Sequence, residues 1–192
     1  MIIILFGPPG AGKGTQASFI ENQFNLVHIS TGDILRDAVK NKTDLGIIAK
    51  DVMERGELVS DGLLLNLIEE RINNKDCDDG FILDGYPRNE KQASSLDKIL
   101  LKYNRNISGI IQIEVDFSIL EKRILGRAKE NKDEVRTDDN IKVLKKRLQE
   151  YLEQTEPLIS YYSEHKNYII INGMNEISKV SEDIKNNLNK LK

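Results

Sequence analysis

Residues 7–15 read Gly-Pro-Pro-Gly-Ala-Gly-Lys-Gly-Thr, and they carry the strongest chemical signal in the chain. The spacing G-x-x-x-x-G-K is that of a P-loop. Its glycines let successive backbone N–H groups turn toward one point, a following helix adds the positive end of its dipole, and Lys13 reaches the terminal phosphates. Gly10, Ala11, Gly12, Lys13, Gly14 and Thr15 are therefore the candidate cradle for a nucleoside triphosphate. The residue after the lysine is Gly14, and the hydroxyl arrives one place later at Thr15. The usual hydroxyl ligand for Mg2+ is thus displaced, which leaves the metal resting mainly on phosphate oxygens and water.

Further along, Phe-Ile-Leu-Asp at 81–84 is an apolar run ending in a carboxylate. Asp84 could cap a turn, but after a P-loop the better reading is an acid beside the metal. Thr31, Gly32 and Asp33 follow another apolar run and suit a helix start, with Arg36 one turn beyond Asp33. Arg123 and Arg127 are four apart, on one helix face. Arg136 leaves a charged stretch, and Arg147 lies in the next helical pattern. Taken singly, each arginine is of the kind that sits solvated on a surface. His28, within a strand pattern, and His165, after a helical one, carry no catalytic expectation.

These residues need a frame to bring them together. Short apolar runs at 2–6, 26–29, 81–84, 108–115 and 168–172 read as strands, and 12–24, 62–73, 90–103, 117–127, 140–163 and 176–192 as helices. Strand alternating with helix predicts an α/β fold, a five-stranded parallel sheet with helices on both faces and right-handed crossovers. Residues 30–61 break the rhythm as a small helical insertion. Residues 127–139 carry nine charges, cannot build a core and predict an exposed loop. The expected organisation is one domain, with a core of 1–29, 62–126 and 140–192 and those two insertions.

Jointly, these motifs resemble adenylate kinase. The resemblance rests on residues 7–16, Ser-Thr-Gly-Asp-Ile-Leu-Arg at 30–36, Gly-Glu-Leu-Val-Ser-Asp at 56–61, Leu-Asp-Gly-Tyr-Pro-Arg at 83–88 and Arg-Thr-Asp-Asp at 136–139, in family order over nearly the whole chain. It implies a P-loop three-layer α/β/α fold and the reversible reaction MgATP + AMP to two ADP. It places ATP on the cradle with Arg123, Arg127 and Asn175, and AMP on Thr31, Arg36, Glu57, Leu58, Val59, Gly85, Arg88, Gln92, Arg136 and Arg147. Lys13, Arg88, Arg123, Arg127, Arg136 and Arg147 become the groups that neutralise the transferring phosphoryl. Asp33 and Asp84 would hold Mg2+ through water, and the Tyr86–Pro87 bond could be cis. Gln92 would read the adenine edge. Uridylate/cytidylate kinases generally have alanine at the Thr31 position and lack that glutamine, so both residues favour AMP. The stretch from Arg127 to Arg136 encloses only eight residues and no Cys-x-x-Cys, so a short lid without zinc is expected. A nucleotide-binding regulatory protein without transfer is the other alternative, and the number of converging arginines speaks against it.

Composition agrees with a small-molecule enzyme. The 192 residues carry 28 Lys+Arg and 31 Asp+Glu, a net charge of -3, which disfavours a nucleic-acid coating role. That average hides residues 121–147, with 10 Lys+Arg and 6 Asp+Glu, net +4, against -7 for the remainder. A single cysteine, Cys77, excludes an intrachain disulfide. The first apolar run ends at Gly7 with no basic leader, so a strand is expected there and not a signal peptide. No membrane span is expected either, since one takes about 20 apolar residues. The expectation is a cytoplasmic monomer.

Overall fold

A run of five large apolar residues, Ile-Ile-Ile-Leu-Phe, suits a strand covered on both faces. A computed structural model of the chain describes residues 1–130, 141–165 and 167–191, with residues 127–130 described by their backbone alone. In it β1 (Ile2–Phe6), β2 (Val27–Ser30), β3 (Phe81–Asp84), β4 (Gly109–Glu114) and β5 (Tyr168–Asn172) form one sheet of order β2-β3-β1-β4-β5, parallel throughout. The pleat then sorts each strand's side chains between two cores. Ile2, Ile4 and Phe6 pack with Phe81, Leu83 and Ile110 on one face, while Ile3 and Leu5 pack with Ile82, Ile111 and Ile113 on the other. Truncating Ile3 or Ile4 to Ala would cost about 3 kcal/mol, each from a different core.

The helices cover those faces. α1 (Lys13–Phe24) and α9 (Ile177–Leu188) lie over the second core through Ala17, Ile20, Val180, Ile184 and Leu188. α4 (Asp61–Ile72) and α5 (Glu90–Lys102) cover the first through Leu64, Ile68, Ala93 and Leu96. Between β2 and α4 stand two further helices, α2 (Thr31–Lys40) and α3 (Asp44–Glu54). They meet closely at Gly46, where a Cβ would fall 2.0 Å from the Ala38 carbonyl oxygen. After β4, α6 (Leu120–Glu130) leads toward 131–140, and α7 (Ile141–Glu150) resumes beyond.

One element departs from expectation. The single helix over 140–163 is broken into α7, a π-helical turn at Tyr151–Thr155 and α8 (Leu158–Tyr162). Pro157 has no N–H to continue an α-helical ladder, and the preceding turn widens so that Glu156 N–H reaches the Tyr151 carbonyl (2.8 Å). The widened turn also lets Thr155 Oγ1 donate to the Arg88 carbonyl (2.9 Å), which ties it to the site. Among the described residues no helix is long and apolar enough to cross a membrane.

Register positions the chemistry. Asp84 at the end of β3 pairs with Leu5 on one side and Ser30 on the other. The loops after β1, β2 and β3 therefore emerge side by side at the carboxyl edge of the sheet, where open α/β sheets bind ligands.

Candidate active site

β1 ends in the glycine-rich loop, and two backbone positions make its shape. Gly10 (φ +85°) and Gly12 (φ +98°) occupy left-handed conformations that side-chain-bearing residues avoid. At Gly12 nothing lies within 4 Å of where a Cβ would stand, so the requirement there is conformational and not a matter of space. Gly12 also caps α1 with no side-chain bond, leaving the first N–H groups of α1 directed toward an incoming anion. Lys13 Nζ folds over the loop and donates to the carbonyls of Gly7 (2.7 Å) and Pro8 (3.1 Å).

The loop after β3 faces this cradle. Tyr86–Pro87 is cis, and Gly85 has φ +79°. A Cβ on Gly85 would come within 3.0 Å of Thr31 Oγ1 and 3.1 Å of an Arg88 guanidinium nitrogen. Both of those side chains instead use the Gly85 carbonyl: Thr31 Oγ1 donates to it at 2.9 Å and Arg88 Nε at 2.7 Å. Arg88 is thereby held by one edge of its guanidinium. The helix start at 30–33 is capped by Ser30, whose Oγ accepts from Asp33 N–H (3.2 Å), and Thr31 is left for Gly85. Arg36 pairs with the Asp33 carboxylate one turn away and lies over Gly32, where a Cβ would stand 3.1 Å from it.

Asp84 is 9% exposed. Burial pushes its pKa up, but the adjacent His28, Lys13 and Arg88 outweigh that and hold it below the ordinary carboxylate range. His28 Nε2 lies 3.4 Å from Asp84 Oδ2, without hydrogen-bond geometry, and forms an ion pair with it when the imidazole is protonated. Burial lowers the imidazole's pKa, and Asp84 together with the charges of Glu21 and Asp33 more than restores it, so His28 stands above its ordinary value. Sequence reasoning gave His28 no part near the site. Its neighbour across the sheet was the missing information, since β2 and β3 are far apart in the chain.

These groups line one cleft of about 880 Å³. Gly10, Ala11, Gly12, Lys13, Gly14 and Thr15 form one wall, while Thr31, Asp33, Arg36, Asp84, Gly85 and Arg88 form the floor and the facing side. Glu57, Leu58 and Val59 border it from the helical insertion, with Glu57 held by Arg55 (2.9 Å). Arg123, Arg147 and Asn175 complete the rim, and Arg123 Nη2 donates to the Gly173 carbonyl (2.8 Å). Arg136 lies outside the described residues, as do Asp138 and Asp139, and the Arg127 side chain is likewise not described.

Gln92 is the expected base reader that does not line this cleft. It is 1% exposed, with Oε1 accepting from Arg88 N–H (2.7 Å) and Nε2 donating to Asp61 Oδ1 (2.8 Å). Asn89 donates to the same Asp61 oxygen (2.9 Å) and caps α5 by accepting from Gln92 N–H (2.9 Å). An acceptor-only carboxylate on one side and a donor-only N–H on the other fix the carboxamide's orientation in this conformation. Among the described residues, no group of three or more His, Cys, Asp or Glu side chains gathers to hold a metal.

Comparison with known proteins identifies the family of the chain. The family model described as "Adenylate kinase" matches residues 5–167. The chain is 43% identical over 215 aligned positions to an adenylate kinase of Methanocella arvoryzae, covering all of both chains. It is 45% identical to one of Xanthomonas campestris pv. campestris, over 96% of this chain and 97% of that one. To one of Parvibaculum lavamentivorans it is 46% identical, over 96% and 90%.

Proposed function

The chain belongs to the adenylate kinase family, and we propose that its cleft carries out the reversible transfer of the terminal phosphoryl group of ATP to AMP, giving two ADP. The observation that carries this reading is one cleft holding a backbone phosphate cradle opposite two anchored guanidiniums, Arg36 and Arg88, with Asp84 between them. ATP takes the cradle, and its base lies toward Arg123 and the 173–177 turn. AMP places its phosphate on Arg36 and Arg88 near Thr31 and Gly85, beneath the 30–61 insertion.

Catalysis is then positioning and charge neutralisation. The AMP phosphate is already an oxyanion, so no side chain need take a proton. Arg88, braced on Gly85, aims that oxyanion, and Lys13, Arg123 and Arg147 offset charge on the transferring group, with Arg127 and Arg136 assigned to the same task. Closure of the 30–61 insertion over the substrates would exclude water, which protects the phosphoryl from hydrolysis. Gln92 would reach the adenine edge by exchanging its bond to Asp61 for bonds to the base.

The donor set suits Mg2+ of the kind that keeps several waters and leans on substrate phosphates, because among the described residues it offers two carboxylates, Asp33 and Asp84, and no cage. When bound with ATP, Mg2+ would neutralise phosphate oxygens that would otherwise repel the incoming acceptor. Asp84, ionised throughout the neutral range, would anchor its water shell with Asp33. The protein is read as a cytoplasmic monomer acting on ATP, AMP and ADP.

ADP formation from MgATP with AMP, UMP, CMP or GMP as acceptor tests the reading. AMP should be preferred by a factor of about 100 or more in kcat/KM. Preference for UMP or CMP would reassign the acceptor, and transfer to none of the four would remove the kinase reading.

A further inference from the structure

Gln16, in the first turns of α1, is 3% exposed although it borders the cleft. Its carboxamide is fixed at both ends by α9. Ser181, itself 8% exposed, donates its hydroxyl to Gln16 Oε1 (2.9 Å), and Gln16 Nε2 donates to the Ile177 carbonyl (3.4 Å). The Ser181 oxygen also lies 2.9 Å from that carbonyl, but a hydroxyl has one proton to give. With the carboxamide turned about, Oε1 would face the Ile177 carbonyl oxygen with no proton between them. The orientation with Nε2 toward Ile177 is the one that satisfies all three groups.

The two ends of this link belong to different parts of the cleft. α1 begins at Lys13, and Gln16 N–H itself bonds the Gly12 carbonyl (3.1 Å), so the residue is continuous with the cradle. Ile177 is the first residue of α9 and closes the turn whose Gly173, Met174 and Asn175 also line the cleft. Arg123 is tied to that same turn through Gly173. Packing of α1 on α9 does not need a polar pair, because Ala17, Ile20, Val180, Ile184 and Leu188 already supply an apolar contact. A matched polar pair buried among such residues contributes little net stability over an apolar pair of the same shape.

We propose that Gln16 is a positioning residue of the donor site: it sets the spacing between the phosphate cradle and the turn that receives the donor base, so that both can be engaged at once. This rests on the donor-site reading above. Gln16→Leu keeps the volume and removes the link. In the ADP-forming assay its KM for ATP should rise about tenfold, with kcat and the KM for AMP changed less than about twofold. Inorganic tripolyphosphate, which has the phosphates and no base, should bind the variant as it binds the wild type, and thermal unfolding should be unchanged or shifted upward. Ser181→Ala should move the ATP KM in the same direction by less, and the double variant should be no worse than Gln16→Leu alone. An unchanged ATP KM overturns the proposal. So does loss of tripolyphosphate binding in step with ATP, which would mean the loop itself was disturbed, or an equal rise in the AMP KM. Calorimetry of ATP against tripolyphosphate needs no turnover, so the proposal is decided even if the wild type proves not to phosphorylate AMP, a failure that would fall on the function and not on Gln16.

Discussion

On the proposed reading, the two ends of the cleft would hold phosphate by opposite means. On the donor side the loop itself would supply main-chain contacts, with Gly10 and Gly12 in left-handed conformations turning N–H groups inward and Lys13 as the loop's charged side chain. On the acceptor side they come from side chains, each braced on something else: Arg88 on the Gly85 carbonyl, Arg36 on Asp33, Thr31 on Gly85. A backbone cradle costs no side-chain entropy when it binds, but it tolerates only residues that adopt its dihedral angles. A braced guanidinium tolerates backbone variation and depends on its own atoms and its brace. Damage should therefore separate: adding atoms breaks the donor side, and removing atoms breaks the acceptor side.

The largest effect is expected from removing Arg88. Arg88→Ala should lower kcat/KM about a thousandfold with the fold retained, and ATP binding should be little changed in calorimetry. Arg88→Lys should recover little of it, because a lysine cannot both bond Gly85 and present a planar fork. Wild-type activity in the alanine variant would dissolve the contrast between the two sides. Gly10→Val is the converse probe. A Cβ there would stand 3.2 Å from Ile124 Cγ1 in a conformation that a β-branched residue avoids, so ATP affinity should fall about a hundredfold while AMP affinity holds. Equal losses for both nucleotides would mean the two sides are not separable.

A smaller effect is expected at the brace shared by Thr31 and Arg88. Thr31→Ala leaves the Gly85 carbonyl with one donor, and the KM for AMP should rise about fivefold with about 1 kcal/mol lost in denaturant unfolding. Unchanged constants would show that Arg88 alone suffices. The smallest concerns His28 and Asp84. The folded-state pKa of His28 is raised, so the stability it contributes is fully present below its unfolded value and is lost as pH rises through the folded one. The stability difference between the Mg-free wild type and His28→Gln should therefore be larger near pH 5.5 than near pH 9. A difference that grows with pH would contradict the pairing.

That contrast also explains which residues could be read before the fold was known. The glycine-rich loop announces itself because a backbone cradle needs glycines at fixed offsets, and Asp84 because an apolar strand ending in an acid after such a loop has few other uses. All five strands emerge from apolar runs, since a sheet largely covered on both faces leaves few polar residues, such as His28 and Gln112, to disguise them. Gln92 shows the limit. Its residue type suits a base reader, but whether its carboxamide faces the cleft depends on Asp61, which is 31 residues away and becomes its neighbour only when α4 and α5 start side by side. His28 and Gln16 are hidden for the same reason, their partners being a strand and a helix that the chain reaches much later. The break at Pro157 carried a local signal in the proline itself, and the helical pattern on both sides outweighed it.

The account's central claim is that phosphoryl passes directly between two nucleotides in one cleft. Following ATP labelled in its terminal phosphate, with and without AMP, tests it most directly. The prediction is that label moves to newly formed ADP, two ADP appear for each ATP consumed, and no inorganic phosphate is released. Release of labelled phosphate at a similar rate with or without AMP would contradict it.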